Sequence, residues 1–366
     1  MKRLSLILTL FVSLIVHAQD PIRGVWITNT GSSVLNSRLQ IREAVMQCKD
    51  QGLTDLFMVV WNNGKTMFPS QVMSQYVGQA QDPVFTGRDP LQEMIEEAHA
   101  VGLRVHAWME FGFSYSYKDS NSIWNKKYPT WAGRNAAGNL LQKNGFYWWN
   151  ALHAGPQQFL SELIEEIVLR YDIDGIQGDD RLPAMPSEGG YESETVGAYG
   201  NHGGDQRAAI DAKQPDWVQW RADKLSQFAS QLYQKVKSTK PGCWVTWSPS
   251  IYPWCKQEYL QDWPAWLRDG YADYVFPQLY RYNAAAYEQL LKDLNAQLTP
   301  DQKKKVFPGV LTSLGDGYQA SRSLLDQFIS LNRAYGYAGE VFFYYETLNR
   351  ISGPLYTATK NYNFTP

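Results

Sequence analysis

The stretch Tyr171-Asp172-Ile173-Asp174-Gly175-Ile176-Gln177-Gly178-Asp179-Asp180-Arg181 decides the fold. Its centre is a short apolar run between glycines, which reads as a buried strand. Its far end carries two adjacent carboxylates and an arginine. Upstream, Leu103-Arg104-Val105-His106-Ala107-Trp108-Met109-Glu110 repeats the design and ends in a glutamate. Strands that deliver acids from their C-terminal ends suit a parallel barrel, whose active sites lie at that face.

Six further apolar runs extend the pattern: Ile22–Thr28, Asp55–Trp61, Cys243–Ser248, Asp273–Tyr280, Lys305–Val310 and Glu340–Tyr345. Helical patterns separate most of them, and strands alternating with helices pair in parallel. Asp89 precedes Pro90 as an N-cap, with Gln92 placed to complete a capping box. Leu91, Met94, Ile95 and Ala98 then fall on one helix face, and Phe159, Leu160, Leu163, Ile164, Ile167 and Val168 form a similar stripe. The expectation is an α/β fold, a TIM-like (β/α)8 barrel with long loops after strands three and four. Only Leu355–Asn361 remains for an eighth helix, so that helix is weak or absent. Residues 19–366 form one domain.

Lys2 and Arg3, the apolar run Leu4–Val16 and the small residues before Gln19 read as a signal peptide over residues 1–18, too short and wrongly flanked to span a membrane. The expected location is periplasmic or extracellular. A formal net charge of −2 gives no footprint for nucleic acid. The 14 Trp, 23 Tyr and 15 Phe serve either a large core or a cleft that stacks sugar rings. Cys48, Cys243 and Cys255 are odd in number and widely spaced, and read as buried thiols rather than a disulfide framework. His99, His106, His153 and His202 fall in no metal-binding spacing, and neither Gly-x-Ser-x-Gly nor Gly-x-Gly-x-x-Gly occurs. No metal and no cofactor is expected.

Neighbouring side chains on a strand face opposite ways. In strand three the apolar set Val105, Ala107 and Met109 suits the helix-covered surface, which sends His106, Trp108 and Glu110 inward. In strand four Ile176 faces out, so Gln177 and Asp179 face in, and alternation selects Asp179 over Asp180. The same rule turns Trp26, Thr28, Gln278 and Tyr280 inward. Asn62, Tyr345 and Glu346 lie near the site end by position alone. Asp55, Asp174 and Asp273 begin strands at the opposite end and read as structural.

Glycoside hydrolysis needs one carboxylic acid to protonate the leaving oxygen and a second carboxylate to attack carbon or activate water. Glu110 sits beside Trp108 and Phe111, which suits a raised pKa, and Asp179 sits near Arg181, which favours the ionised form. Glu110 is therefore the expected acid/base and Asp179 the nucleophile or base, with the reverse assignment open and Asp180 orienting either. Trp26, Asn62, His106, Trp108, Gln177, Arg181, Gln278, Tyr280, Tyr345 and Glu346 are the expected substrate contacts. The competing reading makes Asp179, Asp180 and Arg181 a structural ion pair holding the long fourth loop.

The chain resembles the family 10-like glycosyl hydrolases, also described as the DUF187 group. The resemblance rests on Arg23-Gly24-Val25-Trp26, His106-Ala107-Trp108 with Glu110, Asp174-Gly175-Ile176-Gln177-Gly178-Asp179-Asp180 and Pro277-Gln278-Leu279-Tyr280. It implies a TIM-like barrel that hydrolyses glycosidic bonds in a polysaccharide or oligosaccharide. Some relatives cleave peptidoglycan strands stripped of stem peptides, which makes cell-wall glycan the first substrate expected. Arg181-Leu182-Pro183 departs from branches with aromatics there. The alternative is a carbohydrate-binding barrel without turnover.

Overall fold

The computed structural model describes residues 21–201, 203, 211–348 and 350–357. The expected signal peptide and the last part of Leu355–Asn361 lie outside them.

Eight parallel strands form the central sheet. In chain order they are β1 (Arg23–Ile27), β2 (Asp55–Val59), β3 (Arg104–Met109), β4 (Gly175–Gly178), β5 (Trp244–Trp247), β6 (Tyr274–Val275), β7 (Gly309–Leu311) and β8 (Glu340–Phe343). Continuous pairing runs from β6 through β5, β4, β3, β2, β1 and β8 to β7. Among the described residues the ring closes between the β6 and β7 segments through the single bridges Val275–Val306 and Gln278–Gly309 rather than through a continuous ladder. The sequence places all eight strands, each within a few residues.

Helices cover the ring. Pro90–Ala100 buries Leu91, Met94, Ile95 and Ala98, and Ala154–Arg170 buries its expected stripe. The Asp89 side chain accepts the Gln92 amide, but the Gln92 side chain donates to Glu96 at 3.0 Å, so only half of the capping box forms. After β8 comes the four-residue helix Tyr345–Leu348.

The strand starts are tied by acids. Asp55 accepts Arg104 Nε at 2.7 Å and lies 2.8 Å from His106 Nε2. Asp174 accepts the Val105 amide at 2.7 Å, and Asp273 accepts the Val245 amide at the same distance. Each carboxylate thus pins a strand against its neighbour and satisfies a buried N–H. The aromatics are mostly core: Trp26, Trp61, Trp124, Trp148, Trp149, Trp217, Trp247, Trp263 and Trp266 are fully buried. Cys48, Cys243 and Cys255 are free and buried.

Both long loops fold onto the C-terminal face. The first carries a small antiparallel sheet of Ser114–Tyr117, Gln142–Lys143 and Phe146–Trp148. The second carries the helix Ser193–Asn201.

Candidate functional site

Glu110 is the first residue beyond β3 and is partly buried. Its Oε2 accepts Asn62 Nδ2 at 2.6 Å and Thr28 Oγ1 at 3.1 Å. Burial pushes its carboxyl above the usual carboxylate range, with Asp180 adding to the rise. The Arg181 charge and the two hydrogen bonds pull the other way without cancelling it. A carboxyl raised by burial suits the role of proton donor.

β4 depends on glycine at both ends. A Cβ on Gly175 would stand 2.4 Å from His106 Nδ1, and one on Gly178 would stand 2.4 Å from the Leu182 carbonyl oxygen. Across the mouth, Gly112 has φ +48°, and a Cβ there would meet the Arg181 carbonyl oxygen at 2.1 Å. The Phe113 amide donates to that same carbonyl at 2.9 Å. These contacts press the loops after β3 and β4 together.

Arg181 occupies the join. Its Nε donates to the Glu110 carbonyl at 2.7 Å, Nη2 to Asp179 Oδ2 at 3.2 Å, and Nη1 pairs with Asp180 Oδ1 at 3.2 Å. The guanidinium lies over the Phe146 ring, 4.8 Å from its centroid. Asp179 Oδ1 also accepts the Arg181 amide at 2.9 Å. Asp179 is only 2% exposed, and burial drives its carboxyl well above the usual range although Arg181 opposes the rise. The expectation that Arg181 keeps Asp179 low while Glu110 alone is raised is therefore corrected. Both acids are raised, because desolvation outweighs the single cation between them.

Below the acids the barrel is plugged. Trp26 Nε1 donates to Gln177 Oε1 at 2.6 Å, and Gln177 Nε2 donates to Thr246 Oγ1 at 3.3 Å. His106 stacks on Phe57 at 4.5 Å and lies against Asp55 at the strand starts. Trp26, His106 and Gln177 are essentially fully buried, so the geometry assigns them to the packed interior rather than to substrate contact. Trp108 is 3% exposed, and its indole Nε1 has no hydrogen-bond partner among the described residues.

Around the rim, Gln278 Nε2 donates to the Ser248 carbonyl at 3.0 Å. The Tyr280 ring lies 5.5 Å from Phe343. Burial raises its phenol, and the negative charges of Asp180, Asp179 and Glu110 add to the effect. Glu346 Oε1 accepts Ser32 Oγ at 2.8 Å on the loop after β1. Tyr345 turns away instead, and its hydroxyl donates to Gln47 on the outer helix Arg38–Asp50. Its expected place at the site is thus corrected: the chain leaves β8 through a short helix that rotates the side chain under the helical layer.

Thr28 and Phe146 were absent from the expected contacts. Strand alternation already turned Thr28 inward, which was the available signal. Phe146 lies far from any barrel strand in sequence, and nothing local marks it. A surface groove elsewhere, of about 780 Å³, is lined by Asp223, Asp262 and Asp269, but Asp262 is paired with Lys256 and Asp269 with Arg268.

The family described as Glycosyl hydrolase-like 10 matches residues 21–316. Glycosyl hydrolase YngK of Bacillus subtilis is 27% identical over 297 residues, 72% of this chain and 54% of that protein. The chain thus spans about half the length of that relative. Glycosyl hydrolase DigH of Escherichia coli K12 is 24% identical over 326 residues, 75% of this chain and 70% of that protein. Among solved structures, the PgaB (BpsB) glycoside hydrolase domain from Bordetella bronchiseptica superposes with a TM-score of 0.67 at 14% identity, covering 88% of this chain and 94% of that one. The catalytic domain of beta-amylase from Paenibacillus polymyxa gives 0.61 at 13% identity, covering 94% and 98%. At such identities the structural likeness speaks for the barrel fold.

Proposed function

The chain belongs to the glycosyl hydrolase-like 10 family, and from that premise we propose that it is a glycosidase that uses the carboxylates at the mouth of its barrel. The observation that carries this reading is the meeting of the Asp179 and Asp180 carboxylates on the Arg181 guanidinium, which also binds the Glu110 backbone carbonyl and whose charge reaches the Glu110 carboxyl. Three carboxylates within electrostatic reach of one cation leave excess negative charge in a poorly solvated place. Such a cluster retains a proton, and one carboxyl then acts as the acid. Glu110 is the proton donor. It protonates the glycosidic oxygen as the bond to the anomeric carbon breaks. A carboxylate from the tip of β4 attacks that carbon or takes a proton from the attacking water.

The substrate is an extracytoplasmic polysaccharide, with peptidoglycan strands freed of stem peptides as the first candidate. This fits the apparent signal peptide at residues 1–18, after whose removal the protein works in the periplasm or outside the cell. A binding barrel without turnover has no need of a carboxyl raised above its ordinary range at the mouth of the barrel, whereas a general acid does.

The test is incubation of the mature protein with amidase-stripped peptidoglycan and a panel of α- and β-glucans, with products read by mass spectrometry. Glycan fragments from wild type and none from folded Glu110→Gln support the reading. Retention on a glycan without fragments favours the binding barrel, and equal cleavage by Glu110→Gln removes Glu110 from the chemistry.

A further inference from the structure

We propose that Asp180, and not its neighbour Asp179, is the β4 carboxylate that meets substrate, and that Asp179 is a positioning residue for Arg181. The inference rests on the glycosidase reading above and assigns the second reacting group within it.

Strand alternation selects Asp179 only if the strand continues, and β4 ends at Gly178. From Asp179 the chain turns. The Asp179 carbonyl accepts the Leu182 amide at 3.2 Å and Gln261 Nε2 at 2.9 Å. Its side chain accepts the Arg181 amide at Oδ1 and Arg181 Nη2 at Oδ2. A carboxylate bonded to the amide two residues on closes an Asx-turn, a local structural use of aspartate. Both side-chain oxygens are therefore engaged within the loop, and the residue is only 2% exposed. Reaction at Asp179 would require those bonds to break and leave a buried guanidinium short of acceptors.

Asp180 differs on each point. Its side chain is 27% exposed, and among the described residues its one ion pair runs from Oδ1 to Arg181 Nη1. Among the described residues Oδ2 has no partner, which leaves it for a ligand. Its charge is felt by Glu110, Tyr280 and Tyr259, which stand on three other sides of the mouth. Asp180 thus keeps a solvent-exposed carboxylate within electrostatic reach of the proton donor, while Asp179 holds the guanidinium that both aspartates share.

Two measurements on the full mature protein test this. The first needs no substrate. A water-soluble carbodiimide activates accessible carboxyls, and glycine ethyl ester then replaces the activated oxygen to form an amide, with the carbodiimide leaving as its urea. Peptide mapping should find Asp180 labelled at least tenfold more than Asp179. Preferential labelling of Asp179 overturns the assignment whatever the substrate proves to be.

The second uses the cleaved glycan. Asp180→Asn should lower kcat by about a thousandfold or more with KM little changed, about 4 kcal/mol of transition-state stabilisation. Asp179→Asn should lower it by less than about a hundredfold. Azide should restore turnover to Asp180→Gly, forming a bond to the anomeric carbon as the leaving sugar departs and giving a glycosyl azide, but not to Asp179→Gly. Azide rescue of Asp179→Gly alone would sink the proposal. Absence of cleavage by wild type would instead count against the glycosidase reading, with the labelling result still deciding which carboxylate faces solvent.

Discussion

Arg181 Nε donates to the backbone carbonyl of Glu110 at 2.7 Å, so the side chain after β4 closes the main chain at the end of β3. The remaining guanidinium nitrogens reach Asp179 and Asp180. One planar fork therefore fixes two strand tips and two carboxylates, a task that matches arginine's geometry and not lysine's.

Replacement of that fork should be costly in two ways. Arg181→Lys keeps the charge but loses the divergent donors. We expect kcat to fall at least about a hundredfold and stability to fall by about 3 kcal/mol, as for a buried pair robbed of one partner. Steady-state kinetics and urea unfolding measure the two losses separately.

The hydrogen bond from Asn62 to Glu110 favours the charged carboxylate. Its removal raises the carboxyl pKa further. If Glu110 is the proton donor, activity disappears as Glu110 loses its proton, so the alkaline limb of kcat/KM in Asn62→Ala should move to higher pH. An unmoved limb would separate Glu110 from that ionisation.

Asp55 and Asp179 bend the stability profile in opposite senses. Burial alone would raise Asp55, but His106 and Arg104 overcome it and hold the carboxyl down at about 2. A depressed acid stabilises the fold above its unfolded pKa, and that stability is lost as pH falls through the folded value. Asp55 should therefore contribute about 2 kcal/mol near neutrality and lose it between about pH 4 and pH 2. Asp55→Asn should remove that acid-side decline while leaving kcat per folded molecule near wild type, because Asp55 lies at the closed end of the barrel.

For Asp179 the sign reverses. Its folded carboxyl is raised well above the usual range, so the protonated form is favoured in the fold. That contribution is fully present below the unfolded pKa and is lost as pH rises through the folded one. Urea midpoints should show such a decline in wild type and a flatter curve in Asp179→Asn. Identical slopes would mean that Asp179 is ionised in the fold as readily as in the unfolded chain.

Gly112→Ala probes the contact between the two loops. The substitution strains a backbone at φ +48° and forces a methyl group to within 2.1 Å of the Arg181 carbonyl oxygen. We expect a loss of about 2–4 kcal/mol, from overpacking and a special backbone angle combined. Where the variant stays folded, kcat should fall, since the guanidinium must shift with its own carbonyl. Thermal unfolding and kinetics on the same preparation check both.

The barrel was legible because its signals are local and repeated. Apolar runs such as Leu103–Met109, the cap at Asp89–Pro90 and the stripe on Ala154–Arg170 follow from periodicity and backbone chemistry. The strand-start role of Asp174 and Asp273 followed from the same frame, and each pairs with a neighbouring strand amide. The site was legible as a set of acids but not as a set of roles. Alternation holds while a ladder continues, and β4 stops one residue before Asp179. The depth of His106 and Gln177 in the interior depends on how far along each strand the packing closes over, which no single strand reveals. Tyr345 was misplaced for the reason that its strand ends at Phe343 and the next residues turn into a helix.

The unequal closure of the ring has a dynamic consequence. The seam between the β6 and β7 segments is an interrupted ladder of two single bridges, whereas β3 pairs continuously with β2 and β4. Local opening starts where the ladder is broken and its bonds are least cooperative. Deuterium should therefore enter the β6–β7 side first and the β3–β4 side late. The acids and their shared guanidinium stand on the slow side, so the wall opposite them can breathe for an incoming chain without taking the site apart.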